Sequence, residues 1–103
     1  MSRGVVLVRS DDRELQLQAL RTALSLSLGD RQADLLVGGE GLAVLDPAHS
    51  SEAEHCLQTL RQVGMAIELD GEMVHSLVHH DAEVLPHQEF VRRLAGADFV
   101  QVF

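Results

Sequence analysis

Short apolar runs rich in β-branched residues alternate with helical segments along this chain of 103 residues. Strands that are buried on both faces of a sheet have continuous apolar runs, and strand–helix alternation is typical of a parallel sheet covered by helices on both sides. The pattern therefore predicts an α/β fold around a mostly parallel sheet. The predicted strands are Gly4–Val8, Ala33–Val37, Met65–Leu69 and Asp98–Val102.

Apolar residues at spacings of three and four predict helices between these strands. The first helix is expected over Arg13–Leu28, with Ser10 or Asp11 as its N-cap and Gly29 at its end. The spacing of Ser51 and Glu54 is that of a capping box. The other helices are predicted at Glu52–Val63 and His87–Ala95, with shorter helical turns at Gly41–Leu45 and Glu72–Val78.

Composition bounds the class of protein. The length fits a single domain, 1–103, whose core must be aliphatic because aromatic residues make up only 3% of the chain. Such a small domain gains stability by burying a face against another copy, so self-association is expected. The formal net charge is −8, every basic residue is Arg, and no basic stripe exists. Nucleic acid is therefore excluded as an expected partner.

No segment of the sequence predicts export or membrane insertion. The apolar run near Met1 is too short for a signal peptide, and no run approaches the roughly 20 residues that span a membrane. Cys56 is the single cysteine, so no disulfide forms within the chain. We expect a cytoplasmic protein with no membrane association and no cofactor.

Candidate chemistry lies beyond the carboxyl ends of the strands, where open parallel sheets bind ligands. A receiver-like phosphoacceptor site is disfavoured because the chain has no Lys, and the glycine-rich turn at 38–41 lacks the spacing of a nucleotide-binding loop. No Arg is predicted to point into this acidic edge. The residues predicted to form a ligand or partner edge are Ser10, Asp11, Gly39, Glu40, Asp70 and His75, with Asp12 and Glu72 beside them.

Two further candidates carry metal-binding or thiol chemistry. His75 and His79 share a helix face if the helix continues, and with His80 and Asp81 they are candidate metal ligands, although histidines near a helix C-terminus also stabilise the helix dipole. Cys56 would be a nucleophile only if its thiolate were exposed and stabilised. Its place within a predicted helix, beside the apolar stripe, favours a buried structural cysteine.

Five segments in sequence order carry a resemblance to a known family. They are VVLVRSDD followed by QALRTALSLSLGD, then ADLLVGGEGLAVL, CLQTLRQVGMAIEL and FVRRLAGADFVQVF. Over nearly its whole length the chain resembles the DsrE/DsrF-like family, which includes the DsrE, DsrF and DsrH proteins and the TusBCD sulfur-relay subunits. The resemblance implies a flavodoxin-like three-layer domain of about five strands, with a fifth strand near Val84-Leu85. It also implies assembly into dimers, trimers or hexamers.

The chain departs from this family at the residue that would carry sulfur. Sulfur-carrying members have a cysteine just after the third strand, and this chain has Asp70 there, in IELDGEMVHSL. A carboxylate cannot form a persulfide. Cys56 does not match the motif, and no cysteine follows it. The resemblance therefore implies the fold and the assembly but not the sulfur-transfer reaction.

These observations lead to one main hypothesis and two alternatives. The main hypothesis is a non-catalytic, oligomeric DsrE-like protein with a binding, regulatory or scaffold role in or near intracellular sulfur metabolism. It would have a protein partner in a sulfur-relay system. One alternative is a sulfur carrier that uses Cys56. The other is a metal or acid–base site built from Asp11, Asp70 and His75.

Overall fold

A computed structural model describes residues 3–29, 31–46, 49–73 and 82–103 of the chain. Within these ranges, five strands alternate with three α-helices, and short 3-10 segments follow the second and third strands. In chain order the elements are β1 (Arg3–Val8), α1 (Arg13–Leu28), β2 (Gln32–Val37), a 3-10 segment (Gly39–Leu45), α2 (Ser51–Gln62), β3 (Ile67–Asp70), a 3-10 turn (Gly71–Met73), β4 (Glu83–Leu85), α3 (His87–Ala95) and β5 (Phe99–Val102).

The five strands form one sheet in the order β4-β3-β2-β1-β5, and every pair of neighbours is parallel. The first four strands add in one direction, and the last lies on the other side of β1. Parallel crossovers are right-handed, so this reversal places α3 on the face opposite α1 and α2. The predicted three-layer α/β fold with about five parallel strands is confirmed, including the strand at Val84-Leu85.

The larger hydrophobic core lies between the sheet and helices α1 and α2. β1 contributes alternate residues, Val6 and Val8, because successive side chains of a strand point to opposite faces. Leu20 of α1 and Leu60 of α2 are fully buried in this core. Truncating such a leucine to alanine costs about 2–5 kcal/mol in other proteins. This face therefore supplies most of the apolar stabilisation.

The smaller core lies on the other face, beneath α3. Val5, Leu7 and Leu36 point to this side and contact Phe90, the buried residue of the helix. Toward the amino ends of the strands, this face also carries ion pairs. Asp34 of β2 is fully buried and contacts two guanidinium groups, those of Arg3 and Arg93. The apolar run of β2 therefore contains a buried charge that its neighbours neutralise.

Three local predictions were wrong by one or two residues. β3 begins at Ile67 and ends at Asp70, so Asp70 belongs to the strand, whereas the run Met65–Leu69 placed it in the following loop. The N-cap of α1 is Asp12, whose carboxylate accepts the N–H groups of Glu14 and Leu15, not Ser10 or Asp11. The N-cap of α2 is Ser50, which accepts the N–H of Ala53, not Ser51. Neighbouring serines and aspartates offer the same oxygen, so spacing alone does not distinguish them.

No helix within the described ranges combines the length and apolar character needed to cross a membrane.

Candidate functional site

Asp70 ends β3 at the carboxyl edge of the sheet and points toward α3. It pairs in register with Leu85 of β4, which packs against the smaller core on that face. The residue is 7% exposed. Its Oδ1 accepts the N–H of Glu72 at 3.1 Å, a turn in which the side chain satisfies the backbone two residues on. A nearly buried carboxylate is therefore fixed where the chain leaves the sheet.

His87 meets this carboxylate from the first residue of α3. Its Nδ1 lies 3.0 Å from Oδ2 and 3.2 Å from Oδ1 of Asp70, and 3.0 Å from Oε2 of Glu72. The hydrogen bond with Asp70, together with the charges of Asp70 and Glu72, raises the pKa of His87 above its ordinary 6.5. Partial desolvation opposes this increase. Two neighbouring carboxylates thus favour the protonated form of His87.

A pocket of about 320 Å³ opens beside this pair, between α3 and the ends of three strands. Its floor is apolar, formed by Leu7 and by Phe90, Val91 and Leu94 of the helix. Arg9, which follows β1, also lines it. The expectation that no Arg points into this edge was therefore wrong. The pocket combines an apolar floor with a cationic side chain and a carboxylate–imidazole pair.

The structure does not bring the predicted edge residues into one site. Gly39 lines the same pocket as Asp70, whereas Asp11 lines a second pocket of about 230 Å³. The hydroxyl of Ser10 accepts the N–H of Asp12, and the side chain of Glu40 is exposed. His75, His79, His80 and Asp81 lie outside the described residues. The site that combines Asp11, Asp70 and His75 therefore stays a prediction, with two of its members on separate pockets.

Cys56 lies in α2 and is 5% exposed. It packs in the larger core, on the face of the sheet opposite the one toward which Asp70 points. Burial raises the pKa of this thiol, and the nearby charge of Glu52 raises it further, while Arg21 opposes the increase. A protonated, buried thiol is a poor nucleophile.

Two functional candidates were missed from the sequence, His87 and Arg9. Both residues follow a strand directly or after one residue, so both belong to the carboxyl edge. Pro86 separates His87 from β4, which has only three residues. The signal that could have found His87 is this position, the first residue after the Val84-Leu85 strand and its proline.

The second pocket contains a buried histidine with an altered pKa. The Nε2 of His49 lies 2.9 Å from Oε1 of Gln16, whose amide nitrogen donates to the carbonyl of Ser10 at 2.8 Å. An Arg13 guanidinium N–H donates to the carbonyl of His49. Burial lowers the pKa of His49 below 6.5, and the charge of Arg13 lowers it further, while Asp46 opposes both.

This histidine predicts a loss of stability in mild acid. Below about pH 6.5 the unfolded chain protonates His49 while the folded chain does not, so the free energy of unfolding falls as pH decreases toward the lowered folded pKa. Urea unfolding across this range should show a steeper acid decline in the wild type than in His49→Gln. Comparing the two proteins cancels the opposite contribution of His87, whose raised pKa favours the folded state at low pH. Parallel pH profiles in both proteins would contradict the prediction.

Comparisons with known proteins bear on the fold. No protein-family model matches the sequence, and no curated protein matches it. Among solved structures, the ychN protein of E. coli superimposes with a TM-score of 0.77, covering 100% of both chains at 18% sequence identity. This chain has the DsrE/DsrF-like fold. The sequence resemblance to that family is thereby supported at the level of the fold.

The candidate site lies at the carboxyl edge of the parallel sheet of this fold. β3, β2 and β1 end at one edge of the sheet, and the pocket there is bounded by α3. Asp70, the residue at the position where the resemblance implies a sulfur-carrying cysteine, is the last residue of β3. Identity as low as 18% carries the fold and not the residues of a site. The chemistry must therefore be argued from this chain's own side chains.

Proposed function

We propose that this chain is a non-catalytic, self-associating DsrE-like protein that binds a protein partner in or near a sulfur-relay system. The observation that carries the proposal is the carboxylate–imidazole pair of Asp70 and His87 at the end of β3, where the resemblance implies a thiol. A carboxylate at that position cannot accept a sulfur atom as a persulfide. The pocket beside it still offers a surface on which another protein can dock.

The placement of Cys56 supports the same proposal. Persulfide transfer requires that a thiolate attack the outer sulfur of a donor persulfide, forming a new S–S bond while the donor leaves as its thiol. Cys56 is nearly buried, has a raised pKa, and lies across the sheet from the pocket. A donor docked at Asp70 would have no path to that thiol. Sulfur transfer through Cys56 is therefore disfavoured on access as well as on ionisation.

The pocket indicates what kind of partner would bind. Its floor of Leu7, Phe90 and Leu94 suits an apolar side chain. The carboxylates of Asp70 and Glu72 at one boundary suit a basic group, and the chain's net charge of −8 would speed the approach of a basic surface. The guanidinium of Arg9 would then donate hydrogen bonds to a carboxylate or carbonyl oxygen of the same partner. The proposed partner is a protein segment with an apolar residue flanked by a Lys or Arg.

Intact-mass measurement after incubation with a low-molecular-weight persulfide donor tests the proposal. The wild type should gain no sulfur under conditions in which an unrelated exposed thiol is modified. A gain of one sulfur atom that disappears in Cys56→Ser would overturn the non-catalytic proposal and establish Cys56 as a carrier. Denatured wild type serves as the positive control, because unfolding exposes Cys56 to the same donor.

The variant Asp70→Cys tests whether a thiol at the mouth of this pocket can accept a sulfur atom. Introducing a thiol at the end of β3, in the Cys56→Ser background, should allow the folded protein to gain one sulfur atom. The gain is expected because the new thiol borders an open pocket beside the imidazole of His87, which favours the thiolate. Absence of any gain would contradict the proposal that this pocket corresponds to the family's sulfur site.

Self-association is supported by an apolar strip on the α3 side of the sheet. Val100 and Val102 of the edge strand β5 pair in register with Val5 and Leu7, so they point to that face, and both are exposed. Val91 of α3 is exposed as well. A twofold arrangement could cover these residues with the same residues of a second copy, since an isologous interface is self-complementary.

Replacing Val100 and Val102 together with Asp should convert the assembled protein to a monomer. Charged groups on both copies would be desolvated and would repel one another across the interface. Light scattering coupled to size-exclusion chromatography measures the mass directly. Leu28→Asp is the matched control, because Leu28 is 65% exposed at the far end of α1. Equal masses for the wild type and the double variant would contradict assembly through this strip.

A further inference from the structure

Asp70, Glu72 and His87 form the cluster with the strongest metal-binding geometry among the described residues. One ligand atom from each lies within 4.8 Å of the others. His87 Nδ1 is 3.0 Å from an oxygen of each carboxylate. The cluster borders the same pocket as the proposed partner-binding site but does not include Cys56, so metal binding can be tested separately from sulfur transfer.

These separations are close to those between neighbouring ligands of a bound metal ion. Tetrahedral Zn²⁺ lies about 2.0–2.2 Å from nitrogen and oxygen ligands, so two atoms that ligate the same ion are about 3.3–3.6 Å apart. The two nitrogen–oxygen distances of 3.0 Å are a few tenths of an ångström shorter. Only a small outward movement of the side chains would make room for an ion. Glu72 and His87 are both partly exposed and can make that adjustment.

The donor set indicates which class of ion would bind. One imidazole nitrogen with two carboxylate oxygens suits a divalent transition metal, whereas Mg²⁺ and Ca²⁺ prefer oxygen ligands alone. Two carboxylates against one neutral imidazole leave a local charge of minus two, which a divalent cation balances. Asp70 is the anchoring ligand, since its carboxylate is nearly buried and held by the Glu72 N–H.

The cluster also has an open side. Asp70 and His87 both line the pocket of about 320 Å³, so a metal held by the three protein ligands would have a remaining coordination position directed to that space. Structural zinc sites have four protein ligands, whereas sites that bind an exogenous ligand have three. Water or a small anion would complete the coordination, and Arg9 on the same pocket would favour the anion.

We propose that Asp70, Glu72 and His87 bind a divalent transition metal ion, with Zn²⁺ as the reference ion, at the mouth of the α3 pocket. From the doubly protonated imidazolium, binding at Nδ1 displaces the Nδ1 proton to solvent and leaves Nε2 protonated, so the ring that ligates the ion is neutral. The three proposed ligands do not include His75, His79 or His80, which lie outside the described residues.

Titration of the metal-free protein with Zn²⁺, followed by calorimetry near neutral pH, tests this site. The wild type should bind one ion per chain, and His87→Gln should raise the dissociation constant at least about tenfold, because losing a ligand costs no less than losing one of its supporting hydrogen bonds. Glu72→Gln should also weaken binding. Glu72 is exposed, so that variant separates ligand loss from misfolding.

Two controls make the outcome specific. His55→Gln removes an exposed histidine of α2 and should leave the affinity unchanged. A variant with His75, His79 and His80 all replaced by Gln should retain the ion. Amide chemical shifts on adding Zn²⁺ should change most at Gly71, Glu72 and His87. The proposal is overturned if the wild type binds no Zn²⁺, if His87→Gln and Glu72→Gln bind it as the wild type does, or if the triple variant alone loses it.

Discussion

Replacing Asp34 with alanine is expected to destabilise the protein by about 3–5 kcal/mol, the usual cost of removing one partner from a buried ion pair. Asp34 is fully buried in β2. Its Oδ2 lies 2.8 Å from Nε of Arg3 and 2.5 Å from a terminal nitrogen of Arg93. The alanine variant would leave a partly buried guanidinium without this partner. It would also leave the N–H of Ala66, which donates to Oδ1 at 3.0 Å, without an acceptor.

Urea unfolding of Asp34→Ala, Asp34→Asn and Arg21→Ala separates the contribution of the Asp34 charge from that of its hydrogen bond. Asp34→Asn keeps an oxygen for the Ala66 N–H but removes the charge, so its loss should lie between zero and that of the alanine variant. Arg21→Ala is the surface control, because Arg21 pairs with Glu52 and Glu14 at an exposed position. Its effect should be far smaller, since exposed ion pairs are screened by water. Similar losses for Asp34→Ala and Arg21→Ala would show that the buried network does not stabilise the fold.

Gly41→Ala is expected to have the second-largest effect, a loss of about 1–3 kcal/mol or more, as for overpacked sites in other proteins. An added Cβ would lie 2.4 Å from the carbonyl oxygen of Val8 and 2.7 Å from its carbonyl carbon. Both are backbone atoms of the central strand, so relief requires moving β1 or the 3-10 segment. Three glycines in four residues are typical of a backbone that turns tightly or is closely approached, and at Gly41 the close neighbour is the backbone of Val8.

Gly38→Ala is the matched control within the same turn. Gly38 has an extended backbone with φ of −141°, which any residue adopts, and an added Cβ would meet the Phe90 ring at an ordinary 3.5 Å. The free energy of unfolding of Gly38→Ala should differ from that of the wild type by less than about 1 kcal/mol. The change is stabilising if the reduced conformational entropy of the unfolded chain dominates. Thermal unfolding of both variants gives the comparison. Equal melting temperatures would contradict the steric argument.

The architecture was predictable because it follows from local patterns. Continuous apolar runs mark strands buried on both faces, and the leucine spacing of 13–28 marks a helix whose predicted bounds match α1. The end of β3 was less predictable. Asp70 is polar, yet it remains in the strand because it pairs in register with Leu85 of β4. That pairing was hard to predict, since β4 has only three residues and a weak apolar pattern.

The site was predictable only in part, because its members meet through tertiary contacts. The carboxyl edge and Asp70 follow from the order of strands and helices. The pairing of Asp70 with His87 joins residues 17 positions apart, across a segment whose length fixes no geometry. Asp34 was hidden in the run ADLLV, and its partner Arg93 lies 59 positions away. Sequence spacing cannot reveal which arginine neutralises a buried carboxylate.

α3 is fastened to β3 near both of its ends. His87 at its first residue contacts Asp70, and Arg93 near its last turn donates to Glu68 at 2.8 Å. Helix α3, which forms one wall of the pocket, is therefore held to the central sheet at both ends. Because a ligand that binds only the folded state raises its stability in proportion to the logarithm of its concentration, occupancy of this pocket should appear as an increase in the melting temperature of the whole protein. Thermal-shift screening thus gives a label-free search for the ligand or partner segment that this pocket accepts.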